Sequence, residues 1–283
     1  MIKIGATTLP IAGWVADPRR PEESRLLRLG AIRQLVEGYG LPAVELTLDF
    51  GLVYPQVFDR SFYTTVADLQ QELGFVCTVH LPFLWIDPAS LNEPLRQVSA
   101  DGLCQAIELA RPVDVHTYAL HLWGMTSTQI TILLRDPAQR PAILDALLNQ
   151  AGRSLAQLCE LVDPRDLCLE NLEDPLFDHV LPLVEGAGVS ICLDVGHLAW
   201  RGDSEAEFLT RYGDRIREAH LHDAVRASPD GRTQFRDHLA LGQGQVDYPA
   251  FLRRLADLDH EVVVILENNS QADLEQSLER VRA

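Results

Sequence analysis

An α/β chain closed as a (β/α)8 barrel is the fold class this sequence predicts, on three observations. Eight short apolar runs alternate with longer amphipathic segments. The first run is followed by "GATTLP" rather than the glycine-rich phosphate loop usual in an open doubly wound sheet. No linker or low-complexity stretch interrupts the 283 residues, so one domain is expected over 1–283.

The elements follow in order. Strands are expected over 2–8 (IKIGATT), 43–48 (AVELTL), 75–80 (FVCTVH) and 117–122 (TYALHL). Four more follow over 167–172 (LCLENL), 189–194 (VSICLD), 218–222 (EAHLH) and 262–267 (VVVILE). Helical spacing of apolar residues falls between them, over 24–38, 61–73, 95–110, 141–162, 204–213 and 248–258, with a weaker pattern over 175–186 and a last helix over 271–282. Pro94 and Pro249 sit near helix starts, where a missing N–H costs little. Gly74 and Gly188 stand where helices end before strands. The longest irregular stretch, 223–247, is expected to be a functional loop.

Composition narrows the function. The formal net charge is −17, and 23 of the 24 basic residues are arginine, Lys3 being the single lysine. Nucleic acids and anionic membrane surfaces, which require a basic face, are poor partners for such a chain. A small anionic substrate is still allowed, because a metal ion can reverse the field locally. No run reaches the length of a spanning helix, and "MIKIGATTL" lacks a signal peptide's apolar region. The five cysteines lie in apolar runs without a CxxC pair, as expected of reduced thiols in a cytoplasmic protein. A homodimer is compatible with all of this.

In a barrel of this kind the carboxyl ends of the strands carry the active site. Here those ends carry His80, His121, Glu170 with Asn171, Asp194 with His197 just beyond, His220 with His222 and Asp223, and Glu267. Asp237 and His238 lie in the long loop after the seventh strand. One histidine or glutamate at a strand end is usually structural. Carboxylates converging from several strands would be expensive to bury unpaired. A divalent cation removes that expense, and imidazole with carboxylate suits Zn or Mn better than Ca or Mg. Gly196 is expected to let the chain turn sharply so that His197 faces the same mouth from a loop.

At these residues the chain resembles the xylose-isomerase-like barrel superfamily, which includes endonuclease-IV-type phosphoesterases and sugar or sugar-phosphate isomerases and epimerases. The resemblance rests on "VHLP", "LHL", "LENL", "CLDVGHL", "HLHD", "DHLALGQGQVDY" and "VILEN", which run in order from 79 to 268. It implies a four-ligand metal site of Glu170, Asp194, His220 and Glu267. It also implies a second metal held by His80 and His121 with Glu170 bridging, hence two Mn or Zn ions. His197 and His238 match ligands of a third metal in the endonucleases. There the pattern departs, because Arg236 stands where an aspartate would be and the acid is displaced to Asp237. "LENLEDPLFDHVLPLVEGAGVSICLDVGHL" and "LENNSQADLEQSL" look most like the cobamide-remodelling phosphodiesterases.

Two mechanisms are then expected from one site. The leading expectation is hydrolysis of a small phosphodiester such as a cobamide nucleotide loop, with Glu170 positioning a metal-activated water and Arg201 or Arg236 stabilising charge. The alternative is isomerisation or epimerisation of a sugar or sugar phosphate, with Glu170 and Glu267 removing and returning a proton from opposite sides. A third reading is a barrel that binds a ligand without turning it over. His116, His179 and His260 read as structural or surface residues. Trp14, Trp85, Trp123 and Trp200 follow strands; they either pack on helix ends or wall a large flat ligand, with Trp123 taken as a substrate contact.

Overall fold

The computed structural model describes residues 1–14, 16–133, 140–172, 175–226 and 234–283. β1 (Ile2–Thr7) leads through α1 (Leu9–Ala12) and α2 (Pro21–Arg33) to β2 (Ala43–Thr47). α3 (Asp49–Val53) and α4 (Arg60–Leu73) precede β3 (Val76–His80), and α5 (Glu93–Ala110) precedes β4 (Val115–Leu120). α6 (Met125–Leu133) and α7 (Arg140–Cys159) lead to β5 (Leu167–Glu170), and α8 (Phe177–Ala187) leads to β6 (Ser190–Asp194). α9 (Val195–Arg201) and α10 (Glu205–Tyr212) lead to β7 (Ile216–Leu221). β8 (Asp223–Val225) and β9 (Arg236–Leu239) come before α11 (Tyr248–Ala256), β10 (Val262–Leu266) and α12 (Gln271–Arg282).

Eight of the strands close into a parallel barrel in the order β1, β10, β7, β6, β5, β4, β3, β2. The expected (β/α)8 architecture is therefore the one observed. Strand alternation explains how the barrel is filled. Along β2, Val44 and Leu46 join the apolar layer under the helices. Ala43, on the opposite face, packs instead with Val263 and Ile265, and Ala119 packs with Cys168 and Cys192. Small and β-branched residues thus occupy much of the interior and leave volume there for polar side chains.

The helix ends were legible from their chemistry. Gly74 and Gly188 close α4 and α8 with φ of 71° and 70°, a left-handed conformation that favours glycine. Four short helices, α1, α3, α6 and α9, form in segments where the apolar spacing predicts no helix. The irregular stretch 223–247 contains an antiparallel hairpin, with Asp223 opposite Leu239 and Val225 opposite Arg236. Strands of three and four residues are too short to show an alternating pattern. The part of that stretch over 227–233 lies outside the described residues.

Candidate metal centre

Strand register brings the ligand candidates to one level. His80 lies opposite Thr47, and Asp194 opposite His220, which is itself opposite Ile265. Glu170 is the last residue of β5, and Glu267 directly follows β10. Asn171 braces the ends of β5 and β6: its Nδ2 donates to the Asp194 carbonyl at 2.9 Å, and its Oδ1 accepts from the Asp194 N–H at 2.8 Å.

Glu170 is the centre of the cluster, with a side chain 1% exposed. Its Oε2 lies 2.9 Å from His121 Nε2 and 3.4 Å from His80 Nε2. Its Oε1 lies 3.4 Å from His220 Nδ1 and 3.5 Å from His197 Nδ1. His220 Nδ1 is also 3.6 Å from Glu267 Oε2 and 4.0 Å from Asp194 Oδ2. His238 Nε2 approaches Glu267 Oε2 at 3.6 Å. All eight residues expected to ligate metal are therefore joined in one network of contacts.

Several rings are oriented by the backbone. A carbonyl can only accept, so His80 Nδ1–H donates to the Leu81 carbonyl at 2.8 Å and turns Nε2 toward Glu170. His197 Nδ1–H likewise donates to the Asn171 carbonyl at 2.7 Å. His197 sits in the first turn of α9 and not in a loop, because the Asp194 carboxylate caps that helix by accepting from His197 N–H at 2.8 Å. Gly196 does not serve a sharp turn either. A Cβ there would overlap the His222 imidazole, so the glycine is required by close approach.

The clustered acids and imidazoles set one another's proton affinities. Burial opposes ionisation of Glu267, but the charges of His220 and His238 and the His238 hydrogen bond hold it down to about 2. Glu170 and Asp194 are likewise held well below the usual carboxylate range against burial, Glu170 by His121 and His220, Asp194 by His197 and His222. Burial also opposes charging of His80, yet the hydrogen bond and charge of Glu170 lift it to about 10. His238 rises to about 10 through Asp237 and Glu267, and His220 rises well above its ordinary value. A divalent ion is the natural replacement for those protons.

The residues present fit such an ion. Both ring nitrogens of His220, fully buried, lack a hydrogen-bond partner. Among the described residues, Glu170 with Asp194 and His197, Asp194 with His220 and Glu267, and His80 with Glu170 and His220 each bring donor atoms within 4.8 Å of one another. That set of imidazoles and carboxylates suits Zn or Mn.

Two acids beneath the cluster were not expected. Glu45 Oε2 lies 3.4 Å from His220 Nε2, and Glu218 is wholly buried beside Glu45. Burial, then the Glu45 charge, pushes Glu218 up to about 8. A signal existed: Glu218 stands two residues before His220 and shares its strand face. His222 hydrogen-bonds Asp194 at 3.3 Å. Asp223 is structural, accepting backbone N–H bonds from Gly242, Gly244 and Val246 at 2.8, 2.8 and 3.0 Å.

Above the cluster opens a cavity of about 700 Å³. Its wall includes Trp14, Phe83, Trp123, Met125 and Trp200, and its polar lining includes Thr7, Thr128, Gln129 and Asn269. No lysine or arginine lines it among the described residues. Arg201 instead turns to Asp203 at 2.7 Å, beside a different cavity, and Arg236 is exposed at the start of β9. Trp85 is 74% exposed and stands apart. His116 and His260 lie at the opposite end, and His179 is exposed. Burial raises the thiols of Cys77, Cys168 and Cys192 well above their ordinary range, which argues against thiolate chemistry.

A family model described as a xylose isomerase-like TIM barrel matches residues 33–283. An uncharacterized protein of Methanocaldococcus jannaschii is 24% identical over 234 residues, covering 75% of this chain and 71% of its own. A crystal structure of a D-tagatose 3-epimerase-like protein superposes with a TM-score of 0.73 at 19% identity, covering 99% of this chain and 96% of the other. A 3-keto-D-glucoside 4-epimerase from E. coli superposes with a TM-score of 0.68 at 17% identity, covering 100% and 98%. Likeness at these identities speaks to the fold.

Proposed function

The chain belongs to the xylose isomerase-like TIM barrel family, and from that membership we propose that it is a divalent-metal-dependent isomerase or epimerase of an uncharged, sugar-like substrate. This reverses the order expected from the motifs, which put phosphodiester hydrolysis first. The observation that carries it is the cavity lining: hydroxyls, amides and apolar rings surround the carboxylate–imidazole cluster, with no lysine or arginine among the described residues. A phosphodiester would meet no lysine or arginine there among the described residues, and neither arginine expected to serve it lines the cavity. The epimerases named among the structural neighbours point the same way.

Glu170, Asp194, His220 and Glu267 would hold the ion. When bound, it would polarise a substrate carbonyl and acidify the adjacent C–H. Glu170 and Glu267 both reach His220 Nδ1, and each would take or return that proton at a carboxylate oxygen. His238, 3.6 Å from Glu267, would hold that carboxylate in place. Thr7, Gln129 and Asn269 would orient hydroxyls, and the tryptophans would exclude water from the carbon being reprotonated.

A second reading has a specific observation behind it. His80 and His121 both converge on Glu170 Oε2, which would make Glu170 a bridge to a second ion of the kind used in phosphodiester hydrolysis. The cobamide assignment rests on motif likeness alone. The deciding experiment incubates the Mn²⁺- or Zn²⁺-loaded protein in D₂O with a panel of ketoses and keto-glycosides and, separately, with a corrinoid phosphodiester. Deuterium entry at the carbon beside the carbonyl is expected, surviving in His80→Ala and His121→Ala. Phosphodiester cleavage without any exchange, abolished in both variants, would install the second reading.

A further inference from the structure

The eight gathered ligand candidates leave His222 unassigned, although it is fully buried beside them. Its Nδ1 meets two backbone groups, the N–H of His238, which donates to it at 2.9 Å, and the Asp223 carbonyl at 3.2 Å. Its Nε2 lies 3.3 Å from Asp194 Oδ2, and because a carboxylate only accepts, this nitrogen carries a proton. The ring is locked from two sides. His238 stacks on it with centroids 4.3 Å apart and planes 8° from parallel. Gly196 lies so close on the α9 side that any Cβ would collide with the ring. His238 itself holds φ at 52°, a conformation bulky residues seldom adopt, at the point where its N–H meets His222.

From this geometry we infer that His222 is a positioning residue, which donates from Nε2 to Asp194 Oδ2 and so fixes the Asp194 carboxylate for a divalent cation. The inference rests on the metal-binding reading above and goes beyond it. It assigns to the β8–β9 hairpin, through the stacked ring and backbone N–H of His238, the task of holding His222 in place. Ligating carboxylates are commonly held by such outer partners, whose loss weakens metal binding by ~10–100-fold. A ring without a proton on Nε2 would aim a bare nitrogen at a carboxylate.

The test measures Zn²⁺ affinity by competition with a chromophoric chelator, for wild type, His222→Leu and His222→Gln. Leucine removes both hydrogen bonds; glutamine retains an N–H for Asp194 and an oxygen for the His238 N–H. The Leu variant should bind about tenfold or more weakly, and the Gln variant within about threefold of wild type. A smaller loss in the Leu variant, or an equal loss in both, would overturn the inference. If the Leu variant does not fold, ¹⁵N shifts of His222 in the Zn²⁺-loaded wild type decide. A protonated Nε2 with neither nitrogen metal-shifted supports the assignment; a bare Nε2 or a metal-shifted nitrogen overturns it. Wild-type protein that binds no Zn²⁺, Mn²⁺ or Co²⁺ would sink the metal reading itself. Tight wild-type binding unchanged in the variants would sink only this inference.

Discussion

At the scale of single residues, Glu170 carries the largest consequence. Its two oxygens serve different partners, Oε2 facing His80 and His121 and Oε1 facing His197 and His220. An amide keeps the shape but supplies only one oxygen and no charge. Glu170→Gln should therefore reduce kcat/KM well over tenfold, a loss above about 1.4 kcal/mol of transition-state stabilisation. Its circular dichroism spectrum should stay native. Retention of more than about a tenth of wild-type activity would remove Glu170 from the chemistry. Residues of this kind were legible before the structure because a carboxylate at the end of an apolar strand is conspicuous. Glu45 and Glu218 escaped notice because they lie inside strands, away from the strand ends that carry the other ligand candidates, although Glu218 shares a strand face with His220.

At the scale of elements, the turn after the hairpin β8–β9 is tied back to the start of β8 by one carboxylate. Asp223 Oδ1 accepts from Ala224 and Val246, and Oδ2 from Gly242 and Gly244. Asp223→Asn converts one oxygen into a donor facing two backbone N–H groups. Loss of two charge-assisted bonds predicts a destabilisation of about 3 kcal/mol or more. Urea denaturation would measure it, and a shift below about 1 kcal/mol would contradict the role. The long helices and the eight barrel strands followed from periodicity. The hairpin and the short helices did not, because three to nine residues carry too little pattern and their geometry is imposed by contacts such as those of Asp223 and the Asp194 cap.

At the scale of the whole molecule, the buried charges couple stability to pH and to metal. Glu218 is raised from an ordinary 4.5 to about 8, so its stabilising contribution is complete below 4.5 and is lost as pH climbs through 8. His80 and His238 are raised from 6.5 to about 10, so theirs is complete below 6.5 and is lost as pH climbs through 10. Glu267 is depressed to about 2, so its contribution is present above 4.5 and vanishes as pH falls through 2. The chelator-treated protein should accordingly melt at its highest temperature in mildly acidic buffer and lose stability toward pH 9. Glu218→Gln should flatten the part of that decline between pH 5 and 8, which calorimetry at several pH values would reveal. Added Zn²⁺ should raise the melting temperature, increasingly so at higher pH, because the ion competes with protons for the same ligands. A metal effect that is flat or falls with pH would contradict the cluster as its binding site.

The sequence by itself determined the barrel and most of its cluster. Strand and helix periods are local, and a (β/α)8 chain has one set of strand ends, so polar residues placed there must converge. What it could not determine is which way each side chain faces across the closed sheet and what it meets. Register set His220 against Glu45 below and Glu170 above, close packing made Gly196 obligatory, and the buried His222 met the Asp194 carboxylate. These are contacts between residues distant along the chain. Their distances exist only once the barrel has closed.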